Sequence, residues 1–181
     1  VAYDPGAAAL TRQIAGRLDA AYVLGGYSRL LIDVNRDPED PDSIVRENDG
    51  IRVPGNEDLS DADRAARIEA IYRPYHAAIE GLLSARTDRH ETQLVVAVHS
   101  FTPRFAGRSR PWQVGLIYGR DRRLASCLAA GMVDNSHDDR LTLGLNEPYS
   151  PHDRVYHTVE RHAEARGLTV LAPRAVPAGD G

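Results

Sequence analysis

The sequence contains no lysine: all 22 basic residues among its 181 are arginine. Schiff-base chemistry, a lysine general base and a lysine-tipped phosphate loop are thereby excluded. An anionic substrate would have to be held by arginine, whose planar, permanently charged fork matches carboxylate oxygens in pairs. For most of the arginines, base composition of the gene is a sufficient reason for their presence. Cysteine is nearly absent too. Cys127 stands alone, which excludes an internal disulfide and a stapled secreted scaffold. Its apolar neighbours Leu124, Leu128 and Met132 predict that it packs in a buried helix face. Long apolar runs are missing, and none approaches the roughly 20 residues of a membrane span. With no signal-peptide pattern at the start, the expected compartment is the cytoplasm and no membrane partner is expected. A concentrated positive field is missing as well: 26 acidic residues outnumber the dispersed arginines and leave a net charge of −4. No nucleic-acid partner is expected from such a surface. Finally, there is no H-E-x-x-H, C-x-x-C or G-x-S-x-G string and no glycine-rich phosphate loop, so neither a serine hydrolase nor a nucleotide enzyme has support.

What remains is a chain long enough to bury a core without staples, so a bound metal would serve chemistry and not folding. The spacing of Leu10, Ile14 and Leu18 predicts a helix from Ala7 to Leu18. Tyr27 to Val34 reads as a strand opening into Asp33-Val34-Asn35-Arg36-Asp37-Pro38. Residues 37–59 read as a long polar excursion. A helix is expected from Ser60, kinked or divided by Pro74. Strands are expected over Leu94–Val98, Val114–Tyr118 and Leu141–Leu145, with helices from Asp121 to about Met132 and from about His152 to Arg166. Gly167 should cap the last helix before a short apolar run, Leu168–Leu171. Alternating strands and helices without repeats predict a three-layer α/β fold, with helices flanking a mixed, mainly parallel central sheet. Residues 1–171 read as a single domain and residues 172–181 as a disordered tail.

Three groups could carry chemistry. Asn35 and Arg36 could clamp a carboxylate, or Arg36 could merely close a salt bridge with Asp33 or Asp37. His99 leaves the end of a buried apolar strand, where an imidazole can bind zinc, shuttle a proton or simply bond to loop backbone. The remaining histidines are weaker. His152, His157 and His162 are five apart, so a helix turns each about 140° from the last and they cannot converge on one ion. His157 with Glu160, and His76 with Glu80, read as surface contacts of helices.

Several strings resemble, in order, the N-formylglutamate amidohydrolase family: Tyr27-Ser28-Arg29-Leu30-Leu31-Ile32-Asp33-Val34-Asn35-Arg36, Arg73-Pro74-Tyr75-His76, His99-Ser100-Phe101-Thr102-Pro103, Arg110-Pro111-Trp112 and Asn146-Glu147-Pro148-Tyr149-Ser150. The likeness runs over about residues 1–170. It implies a fold similar to zinc carboxypeptidases and aspartoacylases. It also implies hydrolysis of N-formyl-L-glutamate, or a similar N-acyl acidic amino acid, with zinc as cofactor. Carried over by position, Asn35 and Arg36 would hold the substrate carboxylate and His99 would be the last zinc ligand. Arg29, Tyr149 and His76 would line the pocket.

The resemblance also implies parts this chain does not contain. The family's opening histidine motif would precede Val1, so the domain reads as truncated at both ends. The general-base glutamate would come from an E-x-R string after the last helix, where this chain has Ala172-Pro173-Arg174. Asp4 could serve as an acidic ligand if the chain before it returns to the site. A complete zinc site takes three protein ligands, and this sequence identifies one. The alternatives are a domain that binds an acidic ligand without turnover, or a zinc carboxypeptidase with an open cleft. The oligomeric state is left open.

Overall fold

The computed structural model describes residues 4–48, 50–105, 107–136 and 141–177. In chain order these form α1 (Ala7–Leu18), a hairpin of β1 (Glu47–Asn48) and β2 (Ile51–Arg52), α2 (Asp61–Arg67), α3 (Arg73–Asp88), β3 (Leu94–Val96) and β4 (His99–Ser100). A second hairpin of β5 (Arg104–Phe105) and β6 (Arg108–Ser109) follows, then β7 (Val114–Ile117), α4 (Arg123–Asn135), β8 (Leu143–Leu145), α5 (His157–His162) and β9 (Thr169–Ala175). They group into two compact units, one of Ala21–Thr92 and one of Asp4–Ala20 with the chain from Gln93 onward.

The second unit carries the central sheet, in the order β3, β9, β7, β8, with β4 also on β9. β3 and β4 run parallel to β9, and β7 parallel to β8; β7 and β9 are antiparallel. This is the mixed, mainly parallel α/β sheet predicted from the sequence. Alternate strand residues point to opposite faces, and over β7 and β9 both faces are covered. Ile117, Val170 and Ala172 pack with Val159 and Ala163 from the α5 side. Leu116 and Leu171 pack with Ala125 and Leu124 of α4. Fully burying each large aliphatic side chain here contributes about 1.5–3 kcal/mol relative to exposure. Helices on both faces make this unit three-layered.

Four sequence expectations need correction in this unit. The strand expected over Leu94–Val98 is divided, although β3 and β4 keep one register against β9: Val96 pairs with Leu171 and His99 with Arg174. The break falls opposite Pro173, which has no N–H for the ladder. Ala172–Ala175, expected to open a disordered tail, instead extend β9: all four pair with β7, and Arg174 and Ala175 pair with β4 as well; residues 178–181 lie outside the described residues. The helix expected from His152 to Arg166 is a 3-10 turn (Pro151–Asp153), the short α5 and another 3-10 turn (Glu164–Arg166). Ser150 and Asp153 form a capping box around the first turn, and Arg154 at φ 56° halts it. Gly167, at φ 69°, closes the last turn as expected. Cys127 is exposed, contrary to its expected burial, because α4 turns Ala125 and Ala129 toward the sheet and residue 127 lies on the opposite side.

The first unit is built around Ile32, Ile44 and Tyr72, with Leu59, Ile68 and Ile71 against them. Ser60 caps α2 by accepting from the Asp63 N–H. Pro74 divides the long helix as expected, and does so through a π turn. Arg73 N–H bonds five residues back to the Ile68 carbonyl, and α3 restarts there with Pro74 in its first turn, where a missing N–H costs nothing. The strand expected over Tyr27–Val34 is not formed. Its apolar run supplies one fully buried residue, Ile32, while Leu31 stays 39% exposed. The chain turns instead, with Leu31 N–H on the Ser28 carbonyl and Arg36 N–H on the Asp33 carbonyl.

Candidate active site

In the first unit, the segment from Leu30 to Asp40 is held by side chains reaching in from elsewhere in that unit. Asn56 donates to the carbonyls of Leu30 (2.8 Å) and Val45 (2.7 Å). Arg67 donates to the Leu31 carbonyl (2.9 Å), Asn56 Oδ1 (2.7 Å) and the Gly55 carbonyl (2.9 Å). Arg64 reaches the Pro38 carbonyl and Ser43 Oγ. His76, 4% exposed, donates from Nε2 to the Val34 carbonyl at 2.9 Å, with the Tyr72 ring 4.2 Å away. His76 thus supports the backbone immediately before Asn35 and Arg36. Sequence reasoning missed Asn56, Arg64 and Arg67; their targets are main-chain oxygens up to 36 residues away, which leave no local pattern.

On that support, Asp33 is the hub. One carboxylate oxygen accepts the Asn35 N–H at 2.9 Å, while Oδ2 lies 3.4 Å from Arg29 Nε and 3.6 Å from Arg36 Nε. Arg36 also lies 4.0 Å from Asp40, while Asp37 caps the Glu39 N–H. The Arg36 side chain is only 14% exposed, and its Nε makes no hydrogen bond among the described residues; the same holds for Arg29 Nε. Long ion pairs around a largely buried guanidinium fix its place without using its fork. Arg29, Asn35, Arg36 and His76 are thus gathered along one segment of this unit.

In the second unit, His99 Nδ1 meets Asp4 Oδ2 at 2.7 Å. Burial pushes the Asp4 carboxyl up, but the His99 bond and charge, the Arg174 charge and the Ser100 N–H together hold it below its ordinary value. The Asp4 contact on Nδ1 leaves Nε2 as the ring's other polar atom. A cavity of about 170 Å³ beside it is lined by Gly6, Ala7, Leu10, Ser100 and Val176 among others. Tyr149 stands on a loop that crosses closely over the sheet: a Cβ added at Gly115 would run into the Glu147 carbonyl, and one at Gly144 into Glu147 as well. Both Arg110 and Arg174 bring their guanidinium carbons to 4.8 Å from the Tyr149 ring centre. The unit therefore assembles Asp4, His99, Arg174, Tyr149 and Arg110. A larger hollow of about 480 Å³ in the first unit, lined by Pro54, Asp58, Asp63 and Arg67 among others, contains none of the residues singled out from the sequence.

Among the described residues, no three His, Cys, Asp or Glu side chains come together to hold a metal ion. Asp4 and His99 are a pair, short of the three protein ligands of a zinc centre. Among the described residues, no helix is long and apolar enough to cross a membrane.

Comparisons with known proteins agree with this architecture. A crystal structure of the gene product Atu2144 from Agrobacterium tumefaciens matches with a TM-score of 0.87 and 35% identity, over 97% of this chain and 68% of that one. The crystal structure of N-formylglutamate amidohydrolase from Ralstonia eutropha JMP134 matches with a TM-score of 0.61 over 82% of this chain and 61% of that one, and at 19% identity it bears on the fold alone. No curated protein matches the chain. The profile of N-formylglutamate amidohydrolase matches residues 1–172, a span that takes in both units and every motif of the resemblance, and on this ground the chain belongs to the N-formylglutamate amidohydrolase family.

Proposed function

We propose that the chain hydrolyses N-formyl-L-glutamate, or a similar N-acyl acidic amino acid, to the free amino acid and formate or the corresponding acid. The observation that carries this reading is family membership over residues 1–172, joined to an Arg36 whose buried guanidinium is positioned but not saturated. In this reading Asn35 and Arg36 hold a substrate carboxylate, Arg29 shares their Asp33 anchor, and His76 keeps the segment in place from below. Tyr149 contributes to the pocket. Zinc is the proposed cofactor, with His99 as a ligand. The described residues do not make up a complete zinc centre; their own tasks are binding the acid and orienting His99. Asp4, by occupying Nδ1, fixes the ring so that Nε2 faces away from it. The cytoplasm is the proposed compartment, supported by a single cysteine without a disulfide partner.

A second reading has its own support. Alanine at position 172, in the Ala172-Pro173-Arg174 string where the resemblance expects a general-base glutamate, favours a domain that binds acidic ligands without turnover. Metal analysis of the purified protein combined with formate release from N-formylglutamate separates the two. Bound zinc with formate release is expected from the enzyme. Absence of both, with dicarboxylate binding retained, would leave the binding domain.

A further inference from the structure

The arginines of this protein hold their places in different ways, and Arg110 stands apart. Arg67 spends its donors on three oxygens at 2.7–2.9 Å. Such bonds have ordinary length and knit the fold. Arg110 is half-buried, and its hydrogen bonds are long: Thr102 O at 3.3 Å, Thr102 Oγ1 at 3.5 Å and the Tyr149 hydroxyl at 3.2 Å. All three acceptors are neutral. Among the described residues, no ion pair involves Arg110.

What surrounds the guanidinium instead is aromatic. Its carbon lies 4.8 Å from the ring centre of Tyr149, 4.9 Å from that of Phe105 and 5.7 Å from that of Phe101. Ring faces stabilise a cation and keep water off it, yet they occupy none of its N–H donors. Arg174 sets a second guanidinium 4.8 Å from the same Tyr149 ring. Two like charges on one ring create a local field that favours an anion. The Tyr149 hydroxyl, accepting from Arg110, still has its own proton to donate. Fork, hydroxyl and field all match a carboxylate, for which charge-assisted bonds of about 2.7–2.9 Å would replace the long neutral ones.

We propose that Arg110 is a specificity-determining residue that takes a carboxylate of the ligand on its guanidinium fork, assisted by the Tyr149 hydroxyl. This rests on the reading of the chain as a protein for acidic N-acyl amino acids, and it adds a residue to that reading. The test is calorimetric binding of glutarate and of its neutral diamide, glutaramide, to the full chain and to Arg110→Met, which keeps the bulk and stacking surface. Glutarate affinity should fall at least tenfold while glutaramide affinity stays within twofold, and Arg110→Lys should fall between wild type and Met. Unchanged glutarate affinity in Arg110→Met, or equal loss of both ligands, overturns the assignment. If Arg110→Met fails to fold, phenylglyoxal labelling of the unaltered chain decides. The peptide carrying Arg110 should be protected by glutarate and not by glutaramide, and equal labelling with and without glutarate overturns the proposal. The two readings fail separately. Glutarate binding that depends on Arg110 without formate release removes the enzyme and keeps this site. Formate release with unchanged kcat/KM in Arg110→Met keeps the enzyme and removes the site.

Discussion

The two units seat their chemistry-bearing residues on different kinds of support. In the first, Asn35 and Arg36 lie on irregular chain that has one main-chain tie to a more distant turn, the Asp33 N–H on the Ser43 carbonyl, and is otherwise fixed by side chains: Asn56, Arg64, Arg67 and His76 each reach a main-chain oxygen of the segment. In the second, His99 and Arg174 face each other across a strand ladder, and Tyr149 rides on backbone pressed against Gly115 and Gly144. A segment held by side chains can be loosened by deleting one of them. A segment held by backbone contact resists deletions and yields to an added atom. The guanidinium groups divide the same way, with Arg36 set among carboxylates and Arg110 among rings.

Three substitutions probe that contrast, in descending order of expected effect. Gly115→Ala should destabilise the protein most, by about 3 kcal/mol, because the new Cβ meets the Glu147 carbonyl and neither backbone can withdraw cheaply. Urea denaturation measures this, and a loss below about 0.5 kcal/mol would mean that the Tyr149 loop lifts off its floor freely. Arg67→Ala should cost about 2 kcal/mol, since three partners lose a charged donor at once. It should weaken glutarate binding too, and Gly81→Ala, open to an added methyl, is its helix control. Arg36→Ala should lower dicarboxylate affinity tenfold or more, about 1.4 kcal/mol, while changing zinc content far less. Equal glutarate affinity in wild type and variant would remove the clamp.

The smallest effect tests a group that belongs to neither support. Asp121 accepts two side-chain bonds from Arg123 and its N–H, and those bonds hold its carboxyl down at about 2. A depressed carboxyl adds stability that is complete above its ordinary value near 3.8 and is lost as pH falls through about 2. Carbon-detected NMR titration should find a midpoint near 2 for Asp121, and a midpoint near 4 would mean that the pair does not persist in solution.

Much of the second unit was readable in the sequence. Val114–Ile117, Leu143–Leu145 and the start of β9 are short apolar runs between turn residues, and α1 has the bounds its leucine and isoleucine spacing predicts. The first unit misled for a physical reason. Leu30-Leu31-Ile32 carries the composition of a strand, but a strand needs a neighbour, and the donors that meet this segment are side chains on distant turns and helices. Pro74 announced a divided helix without revealing that the division is a π turn. The family motifs pointed to Arg36 and His99, whereas Arg110 drew notice only as part of a motif. Its setting depends on rings from positions 101, 105 and 149, which no local pattern joins.

The π turn at Ile68–Tyr72 has a consequence for how this helix tolerates change in length. A π turn is an α-helix that has taken in one extra residue, and the surplus is confined to a single wide loop of backbone. Removing one residue between Ile68 and Ile71 would restore plain α geometry there without rotating α2 or α3. The capped start at Ser60 and the His76 ring beneath Val34 would keep their bearings. The same deletion two turns further on, inside α3, would swing everything beyond it by about 100°. In this helix the widened turn is a slack link, at which the chain can be shortened by one residue without retiming the parts on either side.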